Sequence, residues 1–120
     1  MKAKLFLLTL FTALASACTM QGDHLSLNTI DTNTAFKFEA KYSKDKTDKL
    51  EKYLDSALNN ELPLNQDIDL IVNLNGKDKF KIKAQPGRLE INMDKRNSSL
   101  KGYLKLKKIT EGIGKRLTGK

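Results

Sequence analysis

DIDLIVNL at residues 67–74, NG at 75–76, KDKFKIKA at 77–84, QPG at 85–87 and RLEINMD at 88–94 form the stretch on which the fold turns. Successive side chains of a β-strand point to opposite faces, so a strand with one buried face alternates apolar and polar residues. In the first segment Ile68, Leu70, Val72 and Leu74 share one parity. In the second, Phe80, Ile82 and Ala84 point inward while Lys79, Lys81 and Lys83 point outward. In the third, Leu89, Ile91 and Met93 lie on one side. Asn75-Gly76 supplies the residues that best tolerate positive φ in a two-residue hairpin turn. Pro86-Gly87 is a second strong turn signal. The expectation is a three-stranded antiparallel meander.

Outward toward the N-terminus, Ala35 to Tyr42 alternates again, with Phe36, Phe38, Ala40 and Tyr42 on one face and Lys37, Glu39 and Lys41 on the other. From Lys46 to Asn59 the period changes. Leu50, Tyr53, Leu54, Ala57 and Leu58 recur at steps of three and four, the pattern of an amphipathic helix. Ser43 or Asp45 is its expected N-cap, and Asn59-Asn60 with Pro63 its stop. Toward the C-terminus, Asn97-Ser98-Ser99 is placed to cap a last helix through Leu117. Tyr103, Leu106, Ile109, Ile113 and Leu117 cluster on one side of its wheel. Gly102, Gly112 and Gly114 each weaken that helix by about 1 kcal/mol relative to Ala, so its apolar face needs a sheet to pack on. The expected class is α+β: a small antiparallel sheet in the order β-α-β-β-β-α, with two helices packed on one face. A single domain over residues 34–120 accommodates all of it. Thr19 to Asn33 is polar apart from Leu25, Leu27 and Ile30 and reads as a tether, with alternation at residues 24–27 compatible with a short edge strand.

Charge is unevenly distributed. The chain carries a formal +8. Lys2 and Lys4 contribute two of these charges. Lys101, Lys105, Lys107, Lys108, Lys115, Arg116 and Lys120, against Glu111 alone, contribute the rest, and residues 18–97 are neutral in sum. Asymmetry of this kind points to a local interaction surface. Lys101, Lys105, Lys108, Lys115 and Arg116 fall together on the polar side of the last helix. They suit anionic headgroups, at roughly 1 kcal/mol per cation near a charged leaflet, or an acidic protein partner; a plain solvated outer face has the same composition.

Catalytic chemistry finds no foothold. His24 is the lone histidine and falls in the tether, and Cys18 is the lone cysteine, so neither a His/Cys metal set nor a Cys-His pair can be assembled. Asp67 and Asp69 lie two apart on one strand's solvent face, where they solubilise rather than act as an acid and base. Asn97-Ser98-Ser99 matches a glycosylation sequon by spacing alone. Gly112-Ile113-Gly114 lacks the strand-turn-helix setting of a phosphate loop. No enzyme activity, cofactor or metal is expected.

The N-terminus carries addressing information. Met1-Lys-Ala-Lys4 is basic, residues 5–15 are mostly apolar, and Ser16-Ala17-Cys18 closes the segment with small residues. This is the pattern of a secretory signal peptide over residues 1–17. The apolar run is shorter than the roughly 18 residues that cross a bilayer. A sole Cys after small residues resembles the lipobox of bacterial lipoproteins, with Ala15 where the commonest form has Leu. The resemblance implies a diacylglyceryl group on the Cys18 thiol and an acylated new amino terminus. It also implies a lipid-anchored tether over residues 18–33, a place in the cell envelope, and, from Thr19 after the Cys, the outer membrane. Ala15-Ser16-Ala17 equally suits the ordinary signal peptidase, which would release a soluble periplasmic or secreted binding or inhibitor protein. Residues 46–117 share the α-β-β-β-α order of double-stranded RNA-binding domains. The likeness is confined to topology. That family's loop residues have no match here, its lysine cluster would fall in mid-helix at residues 104–108, and an exported chain rarely meets RNA. The expected partner is therefore the membrane, through its anchor and its anionic lipid, or an acidic protein, and not nucleic acid.

Overall fold

The computed structural model describes residues 25–119. Residues 1–17, expected as a signal peptide, and Cys18, His24 and Lys120 lie outside them. In chain order the elements are β1 (Ser26–Asp31), β2 (Ala35–Lys41), α1 (Thr47–Leu58), β3 (Ile68–Asn73), β4 (Lys79–Gln85), β5 (Arg88–Asp94) and α2 (Leu100–Thr118), with single 3-10 turns at Lys44–Lys46 and Lys95–Asn97. The strands form one antiparallel sheet in the order β1-β2-β5-β4-β3. The class is α+β, as expected. β5, the last strand in sequence, lies at the centre and joins the β1–β2 hairpin to the meander through pairs such as Phe38↔Ile91.

The alternation in β2, β4 and β5 sorts side chains as the sequence implies. Phe36, Phe38, Ala40, Phe80, Ile82, Leu89, Ile91 and Met93 are buried on the helix side of the sheet. Leu50 and Leu54 of α1 and Leu106, Ile109, Ile113 and Leu117 of α2 close over them. Burial of one such side chain is worth roughly 1.5–3 kcal/mol.

Four details differ from the sequence reading. Residues 26–31, expected as tether, form edge strand β1, paired with β2 from Ser26↔Lys41 to Asp31↔Phe36. The pairing satisfies a row of β2 backbone groups, and the Thr32 hydroxyl closes the connecting turn by accepting from the Ala35 amide at 3.1 Å. The connection between β3 and β4 is a three-residue loop, not a two-residue turn. Leu74 N–H donates to the Asp78 carbonyl at 2.8 Å, the Asn75 side chain accepts from the Asp78 amide at 2.9 Å, and only Gly76 takes positive φ there, at 92°. Neither Ser43 nor Asp45 caps α1 through its side chain, because the 3-10 turn carries the chain into the helix. Leu70, expected inward, is 42% exposed although Val72 and Leu74 of the same parity are buried, so on this edge strand the covering layer reaches Val72 and stops short of Leu70.

The loop between α1 and β3 contributes to the core. Leu62 and Leu64 are buried, and their amides donate to Asp55 at 2.8 Å and Glu51 at 3.0 Å on α1. Asn59 ends α1 in the left-handed conformation at φ 54°, which Asn tolerates better than most residues.

Candidate functional site: the cationic face of the last helix

Ser99 starts α2 as its N-cap, its hydroxyl accepting from the Gly102 amide at 3.0 Å. Asp78 of the hairpin loop holds that cap in place. Its carboxylate accepts from the Ser99 amide at 2.8 Å and the Ser99 hydroxyl at 2.7 Å. The residue is 3% exposed, and the Ser99 hydroxyl, then the Ser99 amide, hold its carboxyl below the usual carboxylate range. A negative charge here also suits the positive end of the helix dipole. The available signal for Asp78 is its parity, which it shares with the inward Phe80, Ile82 and Ala84 rather than with the outward lysines.

Along α2, Lys101, Lys105, Lys108, Lys115 and Arg116 are all exposed, as the wheel implies. The structure divides them. Lys105 donates through Nζ to the Leu74 carbonyl at 3.0 Å, tying the helix to the β3–β4 loop. Arg116 stacks its guanidinium 5.0 Å from the ring centre of Tyr53 on α1. Among the described residues, Lys101, Lys108 and Lys115 form no ion pair. Two apolar residues share their side of the helix: Leu100, 70% exposed, and Leu104, 51% exposed. Lysine stems can lie along such apolar material while their ammonium groups stay in water.

A second basic surface lies on the opposite side of the domain, where no helix covers the sheet. Lys79, Lys81 and Lys83 of β4 line up there. The cross-strand row Ile30, Lys37, Asn92, Lys81, Ile71 spans all five strands. Here the acids are engaged: Arg88 meets Glu39 at 2.6 Å and Lys37 lies 3.8 Å from Glu90. The Glu90 carboxyl is held low by the Asn92 amide, then by Lys37 and Lys83. A charge sum over residues 18–97 conceals this surface, since the acids that cancel the lysines lie partly on α1. The alternation of Lys79, Lys81 and Lys83 was the available signal.

Edge strand β1 is fastened at one end by charge. Tyr103 of α2 donates its hydroxyl to Asp31, and Lys95 donates to Asp31 at 2.9 Å and to the Thr32 carbonyl at 2.7 Å. The Tyr103 hydroxyl, then Lys95, lower the Asp31 pKa.

The remaining residues weighed from sequence are dispersed. Asp69 faces Lys83 across the β3–β4 pair, and Asp67 precedes the strand. The Asn97 amide donates to Asp94 at 2.8 Å, and Gly112-Ile113-Gly114 lies inside α2. Among the described residues no group of three His, Cys, Asp or Glu side chains converges on a metal position, and no helix is long and apolar enough to cross a membrane. No protein-family model matches the chain, and neither a curated protein nor a solved structure matches it.

Proposed function

We propose that this protein is a cell-envelope lipoprotein, anchored by lipid on Cys18, whose α+β domain is a non-catalytic module that binds or scaffolds a partner at the membrane surface. The observation that carries the reading is the outer side of α2, where Lys101, Lys108 and Lys115 stand without ion-pair partners around exposed Leu100 and Leu104. Three cations at roughly 1 kcal/mol each, with two leucines entering the headgroup region, suffice for reversible docking on anionic lipid. Leu25 already packs against the core. The span from Cys18 to Leu25 therefore reaches about 25 Å at full extension, which keeps the domain beside the bilayer and leaves the uncovered sheet face to meet a partner.

The test has two arms. Intact mass of the mature protein from a bacterial host is compared with a Cys18→Ala control. The reading expects a mass increment of a diacylglyceryl group and an acyl chain that the control lacks; a bare cleaved chain refutes anchoring. In the second arm, unlipidated Cys18→Ala protein is sedimented with phosphatidylglycerol vesicles. Reversal of Lys101, Lys108 and Lys115 to Glu should weaken binding at least about tenfold. Binding that survives the reversal, or that is equal on neutral vesicles, removes α2 from the interface.

A further inference from the structure

The sheet has two open edges; both β1 and β3 lack Lys and Pro and pair in unbroken register, and they differ in how their one acidic residue is held. On β1, Asp31 is engaged by Tyr103 and Lys95. Edge strand β3 reads Ile-Asp-Leu-Ile-Val-Asn. It carries no Lys and no Pro, and it pairs with β4 in unbroken register from Ile68↔Ala84 to Asn73↔Lys79. It therefore lacks the edge lysines, prolines and bulges by which proteins block edge-to-edge pairing. Ile71 is 71% exposed and Leu70 42% exposed, neighbours on the same strand.

The direction of its unpaired backbone groups follows from one bond. Leu74 N–H donates to Asp78 across the hairpin. In an antiparallel ladder such bonds recur at every second residue, so Leu74, Val72, Leu70 and Ile68 turn their N–H and C=O groups toward β4. Asp69, Ile71 and Asn73 turn theirs to the open side.

We infer that β3 is a homodimer interface, on which a second copy of this chain adds its own β3 antiparallel about a two-fold axis through Ile71. The register is self-complementary. Ile71 faces Ile71 of the second copy, Leu70 faces Val72, and Asp69 faces Asn73. About six backbone hydrogen bonds form between the outward groups. The charge pattern agrees. Asp69, the only charged residue on β3, pairs with Lys83 of its own β4. In the dimer it lies across Asn73 of the second copy from that copy's Lys79, which pairs with Asn73. Lysines flank each Asp69 on both sides, and no like charges are opposed. Residues directly opposite in an antiparallel pair share a face. The dimer is therefore one continuous ten-stranded sheet with all four helices on the same side, an arrangement in which both α2 surfaces can meet one bilayer. It does not depend on lipidation of Cys18.

The experiment uses the mature chain carrying Cys18→Ala. Sedimentation equilibrium across a concentration series should show the mass rising toward twice the monomer's. Ile71→Lys should abolish that rise while the circular dichroism spectrum stays that of the folded chain, and its thermal midpoint should equal the parent's at concentrations where the parent is monomeric, since the side chain is exposed in the monomer. Added to the same background, Ile71→Cys should form a disulfide-linked dimer on mild oxidation, whereas Asn28→Cys on β1 should not. A chain that stays monomeric throughout the series, a dimer that persists with Ile71→Lys, or equal cross-linking from Asn28→Cys would each overturn the proposal. Capture of an unrelated strand-forming peptide by an otherwise monomeric chain would overturn it as well.

Discussion

Replacing the three glycines of α2 with alanine, one at a time, separates what helix propensity demands from what packing allows. By propensity alone each replacement gains about 1 kcal/mol. At Gly114 a new Cβ would lie 3.6 Å from the nearest atom, a methyl of Leu27, which is ordinary contact, so the gain of about 1 kcal/mol stands. At Gly112 the Cβ would fall 1.9 Å from the Tyr53 hydroxyl. Tyr53 can swing aside, but it then gives up its bond to the Ile109 carbonyl at 3.2 Å. A lost hydrogen bond of about 1 kcal/mol offsets the gain. At Gly102 the Cβ would sit 2.3–2.7 Å from Oδ2, Cγ and Cβ of Asp78. The Cβ of Asp78 cannot rotate away, so the hairpin loop must shift and the Ser99 cap with it. Overpacking of about 1–3 kcal/mol and a disturbed cap of about 1 kcal/mol exceed the propensity gain. The net loss is about 2 kcal/mol. For a domain of this size the thermal midpoint should rise by about 5 °C for Gly114→Ala, stay level for Gly112→Ala and fall by about 10 °C for Gly102→Ala. Thermal melts followed by circular dichroism, with urea titrations beside them, measure the series. Equal stabilisation at all three positions would refute the reasoning.

Two further outcomes follow from single groups. The Tyr42 hydroxyl is buried without a hydrogen-bond partner, and burial pushes its pKa up to about 12. Tyr42→Phe should therefore leave stability unchanged or raise it by up to about 1 kcal/mol in urea, and a clear fall would show that the hydroxyl is satisfied. The raised value keeps its contribution intact below the ordinary tyrosine pKa of 10.0 and removes it as pH climbs toward 12. In an ultraviolet titration Tyr42 should ionise last, and Tyr42→Phe should delete that step. In acid the sign reverses. Asp31, Asp78, Glu90 and Asp94 all have lowered pKa values, so their stabilisation is complete above the unfolded carboxylate range. It is lost as pH falls through the lower native values. Asp78→Asn should be less stable than the parent at neutral pH and flatten the acid slope of the urea midpoint; an unchanged slope would dismiss Asp78 as a contributor.

The legible parts of the fold were those with one wet face and one dry face. β2, β4 and β5 alternate strictly because the helices cover one side of them and water the other, and α2 repeats its apolar residues for the same reason. β1 was hidden because all six of its residues are exposed, so its sequence carries no alternation of burial, only a backbone that β2 needs paired. Leu70 was misplaced because parity tells which face a residue takes and not how far the covering layer extends. Leu62 and Leu64 looked like loop residues, and only the amide bonds to Asp55 and Glu51 show why that loop folds inward. The cationic face of α2 was visible on a helical wheel. Its division into engaged Lys105 and Arg116 and unengaged Lys101, Lys108 and Lys115 was not, since a wheel omits the Leu74 carbonyl and the Tyr53 ring. The lysines of β4 were read as outward, yet a sum of charges along the chain erases a pattern that exists across a surface.

The central position of β5 bears on how the chain acquires its shape. The β1–β2 and β4–β5 hairpins are each local in sequence, but β2 can be paired on its second side only when residues 88–94 arrive. Until then the N-terminal hairpin is two strands with a naked inner edge, too small to persist in water. Some fifty residues of loop close at that step, so the union of Phe38 with Ile91, rather than either hairpin, is the entropic bottleneck. A chain emerging from its N-terminus holds this keystone back until residues 88–94 have been made, which makes assembly of the sheet an almost all-or-nothing event.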